Sequence, residues 1–339
     1  AARPCQILLR RARLVAMSER LYRALDDLPQ RFRQGVVCIG NFDGVHLGHQ
    51  AVVREARRLA KRTEPVLIVC FEPHPRLFFR PDQPFFRLTS LAARTRLLHR
   101  YGVDAVLALP FDAAMAARSP EQFVREILCD QLQVRRAIVG YDFHFGKGRA
   151  GTPARLQELG RRHGFAVHVL EAVRAETENA PYASTAIRAA LKTGDMAHAA
   201  AALGRWWTLE GTVQKGDQRG RTLGFPTANI ALGDYLPPAY GIYTIAAERL
   251  AHADQAPLLG VASLGVRPQF ALDAPLLEAH LFDFNADLYG EELAVALLQR
   301  QRPEQKFASL AELKAQMHKD AERARREAAG LLRAYRFLV

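Results

Sequence analysis

Two histidines three residues apart, His46 and His49, follow the run Gly40, Asn41, Phe42, Asp43, Gly44, and that run follows a short apolar stretch, Val36 to Ile39. Glycines here let a backbone approach a ligand closely. The histidines sit where a helix begins, and a helix start already favours anions through its free N–H groups and its dipole. A phosphate chain at this point would meet two imidazoles as well. That suits attack on the α-phosphate of a nucleoside triphosphate with loss of pyrophosphate, a reaction catalysed mostly by positioning and electrostatics. Two other readings stay open. The pair could be half of a metal site, although no third ligand is suggested nearby, or two surface histidines without a role.

A second set of candidates lies further on. Ser184, Thr185 and Arg188, in STAIR, would put two hydroxyls and a guanidinium fork at a helix start, suited to phosphates; alone, the stretch also reads as an ordinary N-cap. GTVQKGDQRGRTLGFPTANI, Gly211 to Ile230, is basic and punctuated by glycines, so it could close over phosphates. It is not a Walker motif. Glu278 stands in LLEAHLFDF, where alternation sets Glu278 and His280 on the face opposite Leu277 and Ala279. A carboxylate turned into a small barrel is costly unless it works.

The elements that must position these residues follow from periodicity. Val36–Ile39, Val66–Phe71, Ala105–Leu109, Arg136–Val139 and Ala166–Leu170 are strand-like runs. Between them residues 47–62 and 152–163 have helical spacing, and Ser119-Pro120-Glu121-Gln122 has the form of a capping box. This predicts a doubly wound, mostly parallel sheet, with ligands beyond the carboxyl ends of its strands. Helices are expected at about 185–192 and 196–203. After Gly204 short β-rich runs alternate with Gly, Pro and Asp, which predicts an antiparallel barrel or sandwich, and from Ser309 one long helix.

Composition sets bounds. A chain of 339 residues, 49% hydrophobic and 24% charged, is globular and of about two domains. No apolar run is long enough to span a membrane as a helix. The net charge of +12 is carried mostly by arginine and points to an anionic partner, but no basic block interleaved with aromatics marks nucleic acid. Cys5, Cys38, Cys70 and Cys129 form no C-x-x-C pair and read as free thiols in a reducing compartment. Residues 1–16 are arginine-rich and acid-free, and are expected to be a disordered or spurious extension ahead of Met17.

The motifs also carry a resemblance. GNFDGVHLGH resembles the HxGH signature of the nucleotidylyltransferase superfamily, which includes class I aminoacyl-tRNA synthetases, and STAIR resembles that superfamily's second hallmark. FEPHPRLFF, Phe71 to Phe79, and VGYDFHFGKGRAGT, Val139 to Thr152, resemble the N-terminal domain of the prokaryotic bifunctional riboflavin kinase/FAD synthetase family. GFPTAN, Gly224 to Asn229, resembles that family's riboflavin kinase signature, and LYGEEL and QRPEQKF match its C-terminal pattern. The resemblance spans roughly residues 36 to 320.

It implies an α/β Rossmann-like nucleotidyltransferase domain, 17–203, followed by an all-β riboflavin-kinase-like barrel with a C-terminal helix, 204–339. The first would join AMP from ATP to FMN, with Asp142, Phe143 and Arg149 at matching positions beside the histidine motif. The second would phosphorylate riboflavin. There Thr227 and Asn229 would hold the Mg²⁺ of ATP, and Glu278 would take the proton of the ribityl 5′-hydroxyl. Gly211, Gly216, Gly220, Arg221 and Gly224 would line the nucleotide loop, and Arg302 and Phe307 would hold the flavin. Three positions depart from the family: Ala183 stands for a serine, Ser263 for an asparagine and Gln269 for a threonine. The expectation is a cytoplasmic enzyme, monomeric or a weak homo-oligomer, acting on ATP, riboflavin and FMN, with no specific nucleic acid and no membrane. The alternatives are a chain retaining one activity and an RNA-binding or aminoacylating HxGH protein; no KMSKS-like loop is present.

Overall fold

The computed structural model describes residues 20–173, 182–216, 224–266 and 275–335. Residues 1–16 lie outside the described residues. By contacts the chain forms two units. One runs to Phe85 and resumes from Arg94 to Tyr182; the other holds Phe86–Ala93 and the chain from Ala183 on.

The first unit is built on a six-stranded sheet, β1 (Leu21–Tyr22), β2 (Val36–Ile39), β3 (Val66–Glu72), β4 (Ala105–Pro110), β5 (Arg136–Gly140) and β6 (Ala166–Leu170). The order is β1-β4-β3-β2-β5-β6, and every pairing is parallel. All four residues of β2 are buried, as expected of a strand covered on both faces. Successive strands run outward from β2 on one side and from β5 on the other, so the topological switch point lies between those two. Helix α1 (Leu47–Leu59) follows β2 and buries Gln50, Val53 and Ala56. α2 (Pro75–Phe79) and α3 (Leu91–Arg100) come after β3, and α4 (Pro153–His163) precedes β6. The expected capping box is present: Ser119 Oγ accepts the Gln122 amide at 3.1 Å and Gln122 accepts the Ser119 amide at 2.9 Å. Cys38 and Cys70 are buried and free, and burial pushes the Cys38 thiol up to about 12.

In the second unit α5 (Ser184–Thr193) and α6 (Met196–Leu203) precede β7 (Thr208–Thr212), β8 (Ala228–Ala231), β9 (Gly241–Arg249), β10 (Leu258–Val266), β11 (Pro275–Leu281) and β12 (Glu292–Arg302). The strand order is β7-β12-β9-β10-β11-β8, with every pairing antiparallel. An antiparallel bridge between Gln214 and Asn229 brings the two outer strands together, so the sheet is a nearly closed barrel. Tyr243, Ile245, Leu264, Leu277 and Leu297 are fully buried. Helix α7 (Leu310–Ala334) follows, capped by Ser309. Segment Phe86–Ala93 docks through its backbone: Arg87 donates to the Asp234 carbonyl at 2.7 Å and accepts from Leu236 at 2.8 Å. Trp207 Nε1 donates to the Leu88 carbonyl at 3.0 Å. The division by contacts differs from a boundary at Gly204 in grouping α5, α6 and the segment Phe86–Ala93 with the barrel.

Candidate functional site

The turn from Gly40 to His46 leaves the carboxyl end of β2, at the switch point. It is tight enough that Phe42, Gly44 and Val45 all take positive φ, at 53°, 83° and 42°. For a β-branched valine this is a strained conformation, worth on the order of 1–3 kcal/mol. It is held by the Gln50 side chain, which donates to the Val45 carbonyl at 2.9 Å, and by the Val45 amide, which donates to the Phe42 carbonyl at 3.0 Å.

The turn delivers His46 as the N-cap of α1. Nδ1 of His46 accepts the His49 amide at 3.4 Å, so the neutral ring carries its proton on Nε2. The rings of His46 and His49 stack, with centroids 3.7 Å apart. Burial first, then the His46 ring and the Arg94 guanidinium, hold His49 well below the usual imidazole range. The His49 ring is therefore held in its neutral form. Among the described residues no group of three or more His, Cys, Asp or Glu could hold a metal ion.

Three further residues brace this turn, Arg94, Glu72 and His74, of which the last two lie in FEPHPRLFF. Arg94 is buried, 3% exposed; it donates to the Asn41 carbonyl at 2.7 Å and to Glu72 at 3.2 Å. One of three arginines in the helical run LAARTRLLHR, Arg94 carries no sequence signal of burial. His74 caps α2, and its Nδ1 accepts the Arg76 amide at 3.1 Å. Its Nε2 lies 3.0 Å from Nδ2 of the Asn41 side chain.

Asp142 and Phe143 follow β5, the strand paired with β2, so both predicted stretches open at the switch point. Asp142 and Arg149 are exposed, and Phe143 stacks on Phe145 with centroids 5.4 Å apart. After β3, Phe78 and Phe79 are exposed and meet Phe111 edge-on, at 5.6 and 5.7 Å. Ser184, Thr185 and Arg188 belong to the other unit. The N-cap of α5 is Ala183, with no side-chain cap, so the Ser184 and Thr185 hydroxyls lie inside the first turn and do not cap it. Arg188 donates to the Phe86 carbonyl.

In the barrel, strand register assembles residues far apart in sequence. Asn229 lies opposite Glu278, Glu278 opposite Ser263, Ser263 opposite Ile242, and Ile242 opposite Arg302. Directly opposed residues share a face, so these five form one row across β8, β11, β10, β9 and β12. Leu277, Ala279 and Leu281 are buried on the other face, and Glu278 and His280 are half-buried. The carboxylate thus stands on the face turned away from the packed interior of the barrel, not within it. His280 Nδ1 lies 2.9 Å from the Pro226 carbonyl and ties the GFPTAN stretch to β11.

The hydroxyl of Thr227 and the amide oxygen of Asn229 are hard oxygen donors of the kind Mg²⁺ takes. A Cβ at Gly216 would meet the Asn229 amide nitrogen at 2.2 Å, so glycine there keeps that amide clear. The donor set and the open cradle fit Mg²⁺. Gly211 is explained by packing, since a Cβ would meet Ile230 at 2.6 Å, and Gly224 by its φ of 84°. Gly220, Arg221 and Gln269 lie outside the described residues. Arg302 is bound to Asp320 and to the Pro303 carbonyl, and its guanidinium lies 5.9 Å from the Phe307 ring.

A Rossmann-like unit with a braced HxGH turn, together with an antiparallel barrel carrying a Thr/Asn pair beside a carboxylate, defines a nucleotide-dependent flavin-modifying enzyme. Residues 28–186 match the family model for FAD synthetase, and residues 203–328 that for riboflavin kinase. The bifunctional riboflavin kinase/FMN adenylyltransferase of Escherichia coli (strain K12) is 40% identical over 308 residues, covering 90% of this chain and 97% of that protein. The enzyme of the same description from Pseudomonas fluorescens is 40% identical over 311 residues, covering 91% and 98%. A crystal structure from Streptococcus pneumoniae, described as a macrolide-efflux protein, shares 30% identity with a TM-score of 0.78, covering 90% of this chain and 98% of that one. The chain belongs to the bifunctional riboflavin kinase/FAD synthetase family. It is an enzyme that phosphorylates riboflavin to FMN and adenylylates FMN to FAD, using ATP and Mg²⁺. Among the described residues no helix is long and apolar enough to cross a membrane.

Proposed function

We propose that the two reactions are divided between residues 17–203 and 204–339, and that each set of motif residues serves one of them. The carrying observation is that His46 and His49 stand in one unit, and Thr227, Asn229 and Glu278 in the other.

In the first reaction an oxygen of the FMN phosphate attacks the α-phosphorus of ATP, and the bond to the β-phosphate breaks. His46 and His49 donate to the phosphoryl oxygens as pyrophosphate leaves. Gly40, Asn41, Phe42, Asp43 and Gly44 shape the turn around the phosphates. Asp142, Phe143 and Arg149 contact substrate beyond β5, and the exposed Phe78 and Phe79 offer an apolar aromatic surface suited to the flavin ring. Ser184, Thr185 and Arg188 keep the phosphate-binding role that their resemblance to the superfamily motif implies.

In the second reaction Glu278 accepts the proton of the ribityl 5′-hydroxyl as its oxygen attacks the γ-phosphorus and ADP leaves. Thr227 and Asn229 hold the Mg²⁺ of ATP. Gly211, Gly216, Gly220, Arg221 and Gly224 belong to the nucleotide loop, and Arg302 to the flavin end. The opposition of Glu278 and Asn229 supports this, because it sets the base beside the metal ligand. We further infer a cytoplasmic monomer or weak homo-oligomer with small-molecule partners and no specific nucleic acid.

The test supplies riboflavin or FMN, with Mg²⁺ and ATP, to His46→Asn and Glu278→Gln proteins. The first should stop at FMN. The second should make FAD only from supplied FMN. Loss of both steps in either variant overturns the division.

A further inference from the structure

Helix α7 packs on β9, β10 and β12, on the face of the barrel that carries the row from Asn229 to Arg302. Met317, Ala321 and Ala324 pack with Ile242, Leu259 and Val261. Within this apolar contact one acid is buried, Asp320, at 6% exposed. Its carboxylate receives Nε of Arg302 at 3.1 and 3.2 Å and Nη2 at 2.7 Å, and it also receives Nε2 of Gln316 at 2.9 Å. The backbone carbonyl of Asp320 receives Nε2 of Gln301 at 3.1 Å, and that nitrogen also lies 3.0 Å from Thr244 Oγ1. Of Thr244, Gln301, Gln316 and Asp320, only Gln301 falls in a stretch read from the sequence, QRPEQKF.

The partners on β12 reach this point through an irregularity. β12 slips register against β9 twice, between Leu297 and Gln299 and between Arg300 and Arg302. Such bulges re-aim side chains and recur beside active sites. Here they turn Gln301 to the helix and set Arg302 opposite Ile242. A desolvated ion pair is weak evidence of stability, since apolar residues of similar volume often serve as well. What the planar guanidinium–carboxylate fork adds is a fixed direction and a fixed register. The fork ties one turn of α7 to the last residue of the row.

We propose that Asp320 is a positioning residue for riboflavin phosphorylation. By clamping Arg302 it sets the height and rotation of α7 over the row, and so shapes the apolar wall of Ile242, Leu259 and Met317 against which the flavin is held. Asp320 touches neither substrate nor the reacting atoms. The inference rests on the assignment of Glu278 and Arg302 to the riboflavin site.

The test uses the full chain with Asp320→Asn, which keeps shape and removes the charge. KM for riboflavin should rise about tenfold, with kcat held within about threefold, the pattern of lost binding rather than lost chemistry. KM for ATP and the rate of FAD formation from supplied FMN should not change. Asp320→Glu should recover part of the affinity. An unmoved riboflavin KM beside a lowered melting temperature overturns the proposal, as does an equal rise in the KM for ATP. If Asp320→Asn does not fold, Gln316→Ala, which removes one bond to the same carboxylate, should raise the riboflavin KM about two- to threefold; no rise overturns the proposal. Glu278→Gln separates the two levels. Near-normal FMN formation in that variant would sink the site assignment itself. An inactive Glu278→Gln beside an unmoved riboflavin KM in Asp320→Asn would sink only the clamp.

Discussion

His46 caps the helix that carries His49, and its ring lies flat against the His49 ring with centroids 3.7 Å apart. One imidazole thus has two duties. Nδ1 caps the helix, and Nε2 carries the proton. The two can be separated by mutation. Asparagine is among the best N-caps, so His46→Asn keeps the acceptor and loses the donor, whereas His46→Ala loses both. FAD formation should fall on the order of 10²-fold or more in each, as for loss of one transition-state donor. Unfolding free energy should fall by about 1 kcal/mol more in the alanine variant. Rates from supplied FMN and denaturant melts check both, and wild-type FAD formation in His46→Asn would remove the donor role.

Gly48 lies inside the motif, between the two histidines. A Cβ there would meet the His46 ring at 3.0 and 3.1 Å and the Tyr182 carbonyl at 3.4 Å. The ring cannot retreat freely, because His49 is stacked on it. In a helix, alanine is favoured over glycine by about 1 kcal/mol. Gly48→Ala should therefore impair FAD formation by about tenfold or more without lowering the melting temperature. An unimpaired enzyme would show that the ring has room to move.

The depressed pKa of His49 also makes a stability prediction. Burial is the leading cause, followed by His46 and Arg94. His99 is depressed as well, mainly by burial. Below the free imidazole value of about 6.5 the unfolded chain takes up protons that the folded chain refuses. Stability is therefore fully present above that value and is lost as pH falls below it. His49→Gln removes one such group, so the decline in melting temperature between about pH 7 and pH 5 should become shallower. An unchanged slope would mean that His49 is protonated in the fold as readily as outside it.

The sequence revealed most where the signal is local. The alternation of strand and helix from Val36 to Leu170, the cap at Ser309 and the histidine spacing each depend on neighbours within a few residues. The row on the barrel is not local. Asn229, Ile242, Ser263, Glu278 and Arg302 come together through the pairing of five strands, and Arg302 joins only because of the register slips in β12. The short strand Ala228–Ala231 was hidden inside a stretch read as a binding loop. Alternation showed which residues share a face with Glu278, but not that this face is the one under α7. Arg94 escaped for a related reason, since its burial depends on Glu72 and the Asn41 carbonyl, both supplied by other elements.

Glu278 and Asn229 face each other across β11 and β8, and Thr227 lies two residues before Asn229. The proposed base and the proposed metal ligands should therefore fail in different ways. Glu278→Gln keeps the shape of the side chain and removes its proton affinity. Loss of a general base costs about 10²- to 10⁴-fold, and FMN formation should fall by that order. Added Mg²⁺ should not restore it. Thr227→Ala removes one hard oxygen from the metal and should weaken Mg²⁺-ATP binding, so raised Mg²⁺ should restore part of the rate. In both variants supplied FMN should still become FAD at the wild-type rate. The experiment is a Mg²⁺ titration of riboflavin phosphorylation in the two proteins, with FAD formation followed in parallel. Near-normal FMN production in Glu278→Gln would take the base role from this residue. Equal rescue of both variants by Mg²⁺ would instead place Glu278 with the metal ligands.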